Sequence, residues 1–247
     1  MNETSLYFHD QLNDFLPMSK KNNAINCAFN GNPSVKHLIE SQGIPHPEIG
    51  QILVNAISVD FNYKIQSDDS IEVFPASPQL DQLSGLFVGG NLTIQPCFVL
   101  DNHLGKLAVY LRILGFDANY RNDIQDVELA EISSTKNRIL LTRDRQLLMR
   151  KTIRFGYWVR SLEPEIQVTE IIRRFGLKEL IAPFRRCLRC NSSLELVSKA
   201  AIIHRLEPLT KRYFDDFRIC SGCEQVYWKG SHYERMVRLI DRAVAKS

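Results

Sequence analysis

Four cysteines stand in two C-x-x-C pairs, Cys187/Cys190 and Cys220/Cys223, separated by 29 residues rich in strand formers. Two such knuckles present four thiolates, the donor set that holds Zn²⁺ tetrahedrally. With every coordination position filled by sulfur the site is closed, so the metal is expected to hold the fold and do no chemistry. A redox C-x-x-C would come singly, and disulfides would suit a secreted chain. Cys27 and Cys97 stand alone in apolar surroundings. Buried thiols beside metal thiolates are what a reducing cytosol permits, so a cytoplasmic protein is expected.

A second set of residues could do chemistry of another kind. Asp101 ends the apolar run FVLD and Asp144 ends LLTRD. In an open α/β sheet the carboxyl ends of parallel strands converge on one crevice. Asp123 and Asp126 lie between them, just before the helical pattern VELAEIS, so a third carboxylate is expected there. Clustered carboxylates suit Mg²⁺ or Mn²⁺, whose charge density matches oxygen anions. Taken singly, each acid has a plainer reading, because Asp101, Asp126 and Asp144 all precede helical segments and Asp is a favoured N-cap. Three like charges in one crevice, however, repel unless a cation sits among them. That cation is Arg143, Lys106 or a metal.

The elements that must position these groups follow from periodicity. Over residues 5–75 the order is strand, strand, helix, strand, short strand, strand: SLYFH, AINCAF, SVKHLIESQG, QILVNA, SVDFNYKI and SIEVFP. Ser34 caps the helix, Val35, Leu38 and Ile39 share one face, and Gly43 ends it. A mixed sheet crossed by one helix is a β-grasp arrangement. Residues 77–96 carry Pro, Ser and Gly punctuation and make a linker. From Cys97 strands and helices alternate, which argues a mainly parallel sheet with right-handed crossovers. CFVL, FDANY, RILL and GYWV are the strands. The first helix buries Leu104, Leu107, Ala108, Leu111 and Leu114 up to Gly115, and TRDRQLLMR turns into a later one with Leu147 and Leu148 inward. A further helix begins at Pro164, ends at Gly176, and puts Ile166, Ile171, Ile172 and Phe175 on its apolar face. The fold class is α/β, with a β-grasp domain at 1–76, an α/β domain at 97–180 and a zinc ribbon with a C-terminal helix at 181–247. In that ribbon Tyr227 and Trp228 cover the small core, and Ser231 caps the last helix.

Composition sets bounds. A chain of 247 residues, 44% hydrophobic and 24% charged, is long enough for two or three small domains with real cores. No apolar run approaches the roughly 18 residues that span a bilayer, and the first residues lack the basic start and apolar centre of a signal peptide. Basic residues number 4 against 10 acidic in 1–96, 14 against 11 in 97–180 and 13 against 7 in 181–247. The basic C-terminal half is the footprint of a polyanion, with Arg186, Arg189, Lys229, His232 and Arg235 around the knuckles as a phosphate-binding rim. The acidic N-terminal part repels nucleic acid and points to a protein partner.

The runs FVLDNHLGKLAVYLRILGFDANY, RILLTRDRQLLMR, RRCLRC, CSGC and YWKGSHYERM, in that order over about residues 97–240, resemble the PIN-like ribonuclease family named for the C-terminal domain of the Mut-seven protein. The resemblance implies a PIN-like α/β/α fold with an acidic Mg²⁺ or Mn²⁺ site that cleaves RNA, tRNA or another structured RNA among the candidates. It maps Asp101, Asp126 and Asp144 to the acidic positions, with Asp123 as the alternative to Asp126. Thr142 maps to the Thr of the T-x-D turn, and Lys106 and Arg112 to the substrate side of their helix. His103, two residues past Asp101, is a candidate for phosphate contact or proton transfer, and equally for a surface or capping histidine. Thr142 and Arg143 complete the RNA-contacting set. The stretch SVKHLIESQGIPHPEIGQILVNAISVDF resembles the ubiquitin-like domain found before this ribonuclease, itself similar to the sulfur carriers MoaD and ThiS. Carriers act through a free C-terminal Gly-Gly; here the chain continues past Pro75, and Gly89-Gly90 reads as a linker turn. Two functions compete: a metal-dependent ribonuclease, and a non-catalytic RNA-binding adaptor whose β-grasp domain recruits a protein.

Overall fold

Alternating burial builds the first sheet. In β1 (Asn2–Phe8) the side chains of Thr4, Leu6 and Phe8 are buried while their neighbours face outward, the period of a half-buried strand. β5 (Ser70–Pro75) repeats the pattern with Ile71 and Val73 and pairs with β1 in parallel, Leu6 opposite Ile71. β2 (Ile25–Phe29), β3 (Ile49–Val54) and β4 (Ile57–Ser58) complete a five-stranded mixed sheet in the order β2-β1-β5-β3-β4. α1 (Val35–Ser41) crosses it, burying Val35, Leu38 and Ile39, with the Ser34 hydroxyl accepting the His37 N–H and Gly43 at φ +85° beyond its end. This is the β-grasp arrangement. The computed structural model describes residues 2–77 and 96–245, without the side chains of His232, Arg235, Leu239, Ala243 and Val244. The Gly89-Gly90 pair and nearly all of the expected linker lie outside the described residues.

One strand is shorter than its sequence suggests. Of SVDFNYKI only Ser58 joins the ladder, as the last residue of β4. Asn55 and Ala56 both take positive φ, the tight turn that joins β3 to β4. The chain then folds around two acids: Asp60 accepts the Asn62 N–H, and buried Asp69 accepts from Asn55, the Tyr63 hydroxyl and the Gln66 N–H. These local bonds compete with the ladder and win.

By its contacts the chain divides into two units, residues 1–94 with 125–158 and residues 95–124 with 159–247. The segment between the ubiquitin-like part and the ribbon therefore contributes to both. In the first unit, α3 (Asp126–Thr135) precedes β8 (Ile139–Thr142), which pairs in parallel with β9 (Gly156–Trp158) after the single turn α4 (Arg145–Leu148). All four residues of β8 are buried, as expected for a parallel strand covered on both faces.

In the second unit, β6 (Cys97–Leu100) pairs in parallel with β7 (Asp117–Asn119) across α2 (Gly105–Ile113). The stripe Leu104, Leu107, Ala108, Leu111 and Leu114 is buried as its spacing requires. Gly115 ends the helix at φ +94°, and an added Cβ there would collide with the Ala182 carbonyl. α5 (Pro164–Phe175) has Pro164 in its first turn and left-handed Gly176 after it. Its buried face is Val168, Ile171 and Ile172, and Ile166 is 57% exposed, contrary to the sequence expectation. At 100° per residue Ile166 lies about 160° from Val168, so it cannot share that face. The unit closes with the antiparallel ribbon β10 (Leu194–Val197), β11 (Phe217–Cys220) and β12 (Val226–Trp228). Short helices α6 (Lys199–Ile202) and α7 (Pro208–Tyr213) lie in its long connection, and α8 (Ser231–Ala245) follows. No described helix is long and apolar enough to cross a membrane.

Candidate active site and metal centre

The ribbon gathers the four cysteines. Their sulfur atoms all lie within 4.8 Å of one another, with Cys187 3.6 Å from Cys223 and Cys190 3.3 Å from Cys220. A tetrahedral Zn–S₄ centre with bonds near 2.3 Å has S···S edges of about 3.8 Å, so the four residues fit such an ion. The knuckle backbone helps: the N–H groups of Gly222 and Cys223 donate to the Cys220 sulfur. The Leu188 N–H donates to the Tyr227 hydroxyl, which lies 3.1 Å from the Cys187 sulfur and is oriented to donate to it. Burial and the Cys187 sulfur push that phenol well above the ordinary tyrosine range, so it stays a donor. Burial resists ionisation of Cys190, yet the Ser192 hydroxyl and N–H and the sulfurs of Cys220 and Cys223 draw it down to about 6. Cys223 is pushed the other way, to about 12; the Gln225 N–H favours its thiolate, but burial and the three other sulfurs outweigh that bond. Four thiolates this close need a cation to coexist, which is what a divalent metal supplies.

Arg112 ties the centre to α2. Its guanidinium donates to the carbonyls of Leu188 and Arg189 inside the first knuckle and, through two nitrogens, to Ala118. The residue is 4% exposed, and burial lowers its pKa against the raising effect of Cys187, Cys190 and Asp117. This corrects the expectation that Arg112 reaches RNA from an open helix face. Asn191, in left-handed conformation after Cys190, adds a second tie by accepting the Ala118 N–H and donating to Asp117. Arg186 pairs with Asp117 and donates to the Asn191 carbonyl, while exposed Arg189 reaches Gln225. Trp228 packs with Phe214 and Phe217 in the ribbon core. The His232 side chain lies outside the described residues.

The acids are placed by local turns. Asp101 follows β6, is buried, and accepts the His103 N–H at 3.3 Å as cap of the 3-10 turn Asn102–Leu104. His103 and Lys106 are exposed on this turn and the helix after it. Asp144 follows β8, is exposed, and accepts the Gln146 N–H at 2.7 Å as cap of α4. Its own N–H donates to Thr142 Oγ1 at 2.9 Å. Thr142 is completely buried, so it shapes the turn, and the expectation of direct RNA contact is corrected. Arg143, between them, is half-buried. Asp126 is exposed in the first turn of α3, where the helix dipole favours an acid. Asp123 is exposed and ion-paired with Arg121 at 3.0 Å. Asp126 and Asp144 belong to the first unit, Asp101 and Asp123 to the second.

A family model described as the Mut7-C RNAse domain matches residues 96–240, and one described as Mut7-C ubiquitin matches residues 1–81. The chain belongs to the Mut7-C RNAse family. No curated protein and no solved structure matches it. For a Mut7-C RNAse chain the matched region takes in the cysteine ribbon as well as the acidic turns. Two residues that matter to these centres escaped sequence reasoning. Tyr227 looked like core cover, and only the fold brings its hydroxyl to Cys187. Arg145 carries no signal in the sequence; the fold sets it against Trp158, Phe15 and the backbone at Asp14.

Proposed function

We propose that this Mut7-C RNAse chain is a metal-dependent ribonuclease that hydrolyses RNA phosphodiesters. What carries the reading is that a chain of this family ends its parallel strands β6 and β8 in carboxylates, Asp101 and Asp144. Asp101, Asp126 and Asp144 are the residues that hold Mg²⁺ or Mn²⁺, with Asp123 the alternative to Asp126. Their hard oxygen donors fit such an ion, and capping does not disqualify them, because a carboxylate has two oxygens with about four acceptor sites. When bound, the cation lowers the pKa of a water and neutralises charge on the scissile phosphate. Thr142 fixes the direction of Asp144 by holding its N–H. His103, Lys106 and Arg143 contact RNA next to the acids, and Arg186, Arg189 and His232 hold the backbone beside the ribbon, where zinc is structural. The ubiquitin-like segment serves protein contacts.

Asp144→Asn keeps a cap, since Asn serves that position nearly as well, while removing the charge. The variant is expected to retain its melting temperature and lose Mn²⁺-dependent cleavage of single-stranded and structured RNA. Full activity in a contaminant-free variant would remove the claim. A second reading rests on the capping bonds of Asp101 and Asp144: acids that are caps alone leave a non-catalytic RNA-binding adaptor. Titration with Mn²⁺ separates the two, because only the nuclease binds the ion through these acids.

A further inference from the structure

Arg145 occupies a place that helix electrostatics disfavour. It is the first residue of α4, directly after the Asp144 cap, where the positive end of the helix dipole repels a cation. Its guanidinium is instead held from the side. It lies 3.8 Å from the centre of the Trp158 ring and 5.1 Å from that of Phe15. It also donates to the backbone carbonyls of Asp14 at 3.2 Å and Phe15 at 3.4 Å. Those carbonyls close the 3-10 helix Asp10–Phe15 of the ubiquitin-like segment, and a helix C-terminus offers unsatisfied acceptors and negative potential.

Two further bonds reach from the same segment to the stretch after Arg145. Glu48, completely buried, accepts the Trp158 N–H at 2.6 Å. His46, also buried, donates from Nε2 to the Ile153 carbonyl at 2.7 Å while its Nδ1 faces Glu40 at 2.9 Å. The Trp158 ring packs against the core of the five-stranded sheet. Residues 145, 153 and 158 are therefore each gripped by the ubiquitin-like part.

A helix of four residues cannot sustain its own geometry in water, because nucleation costs more than one turn of hydrogen bonds returns. The direction of the Asp144 carboxylate depends on what fixes α4. We propose that Arg145 is a positioning residue, and that the ubiquitin-like segment is a built-in buttress for the Thr142–Asp144 turn, not a detachable carrier. The proposal rests on the reading of Asp144 as a catalytic carboxylate.

The test uses the full chain as Arg145→Ala, Arg145→Lys and, from the ubiquitin-like side, Phe15→Leu, which keeps apolar bulk and removes the ring. Amide hydrogen exchange is followed for residues 142–148, and kcat and KM are measured with Mn²⁺ and RNA. Arg145→Ala is expected to speed exchange in that turn and to lower kcat by about tenfold or more with KM for RNA unchanged, since a small misplacement of a reacting group costs that much. Phe15→Leu should move both readouts in the same direction by less, and Arg145→Lys should recover part of the loss. Unchanged exchange at 142–148 in Arg145→Ala overturns the buttress, as does a rise in KM with kcat intact. If the wild-type chain cleaves no RNA, the functional reading falls, and the exchange measurement alone decides the buttress.

Discussion

The ribbon and the acidic turns are both built from ligand-type side chains, and they are built differently. In the ribbon, cysteines up to 36 residues apart bring their sulfurs within 4.8 Å. At the acidic turns two carboxylates already serve their own stretch of backbone. Asp101 caps one turn, Asp144 caps another, and Asp126 sits at a helix start. Four converging thiolates accept knuckle N–H groups and still want a metal to offset their charge, whereas an aspartate before a helix has a use without one. Spacing alone therefore identifies the first kind of centre, and chemistry has to identify the second.

The largest test of that contrast is metal removal. Purified chain is expected to carry one zinc, and Cys187→Ser or strong chelation should unfold the ribbon, since structural zinc supplies on the order of 10 kcal/mol to its fold. Metal analysis followed by limited proteolysis of residues 181–245 checks this; a ribbon that stays protected without metal would break the contrast. Arg112→Ala comes next. It leaves the carbonyls of Ala118, Leu188 and Arg189 without their charged donor, an expected loss of about 3 kcal/mol with faster zinc release. RNA affinity at low salt should change little by comparison, and a selective loss of RNA binding would return Arg112 to the substrate.

On the acidic side, Thr142→Val keeps the volume and removes the acceptor for the Asp144 N–H. Denaturant unfolding should show a loss of about 1 to 2 kcal/mol, with a larger fall in Mn²⁺-dependent cleavage than stability predicts. The smallest effect concerns His46. Burial, aided by Lys36, holds its pKa below the ordinary 6.5 against the opposing pull of the Ile153 carbonyl and Glu40. Below pH 6.5 the unfolded chain then binds more protons at this position than the folded one. Its contribution makes stability rise with pH up to about 6.5 and level off above it. Plotted against pH, the melting temperature of His46→Gln should rise less steeply than that of wild type just below pH 6.5; equal slopes would assign the proton uptake elsewhere.

Much of this was legible from pattern. The period-two alternation of SIEVFP gave β5 with its bounds, and Ser34, Pro164 and Gly176 stood where caps and stops belong. The failures have separate causes. Arg112 reads as a substrate-side cation through the resemblance, yet its carbonyl partners lie 76 and 77 residues away. Thr142 reads as a site residue through the resemblance to the T-x-D turn, and its burial depends on how β8 is covered. SVDFNYKI has strand composition, but Asp60 accepts the Asn62 N–H and Asp69 the Tyr63 hydroxyl, which hold it in local turns.

Local rules determined the elements, the caps and the paired cysteines that could hold a metal, because periodicity, turn chemistry and C-x-x-C spacing are all encoded within a few residues. Tertiary structure decided which charged groups are spent inside the protein: Arg112 on a knuckle, Arg145 on Trp158 and the ubiquitin-like backbone, Glu48 on an amide 110 residues away. A buried charge must find a partner wherever the chain can deliver one. That delivery depends on long-range packing, which no short stretch of sequence contains.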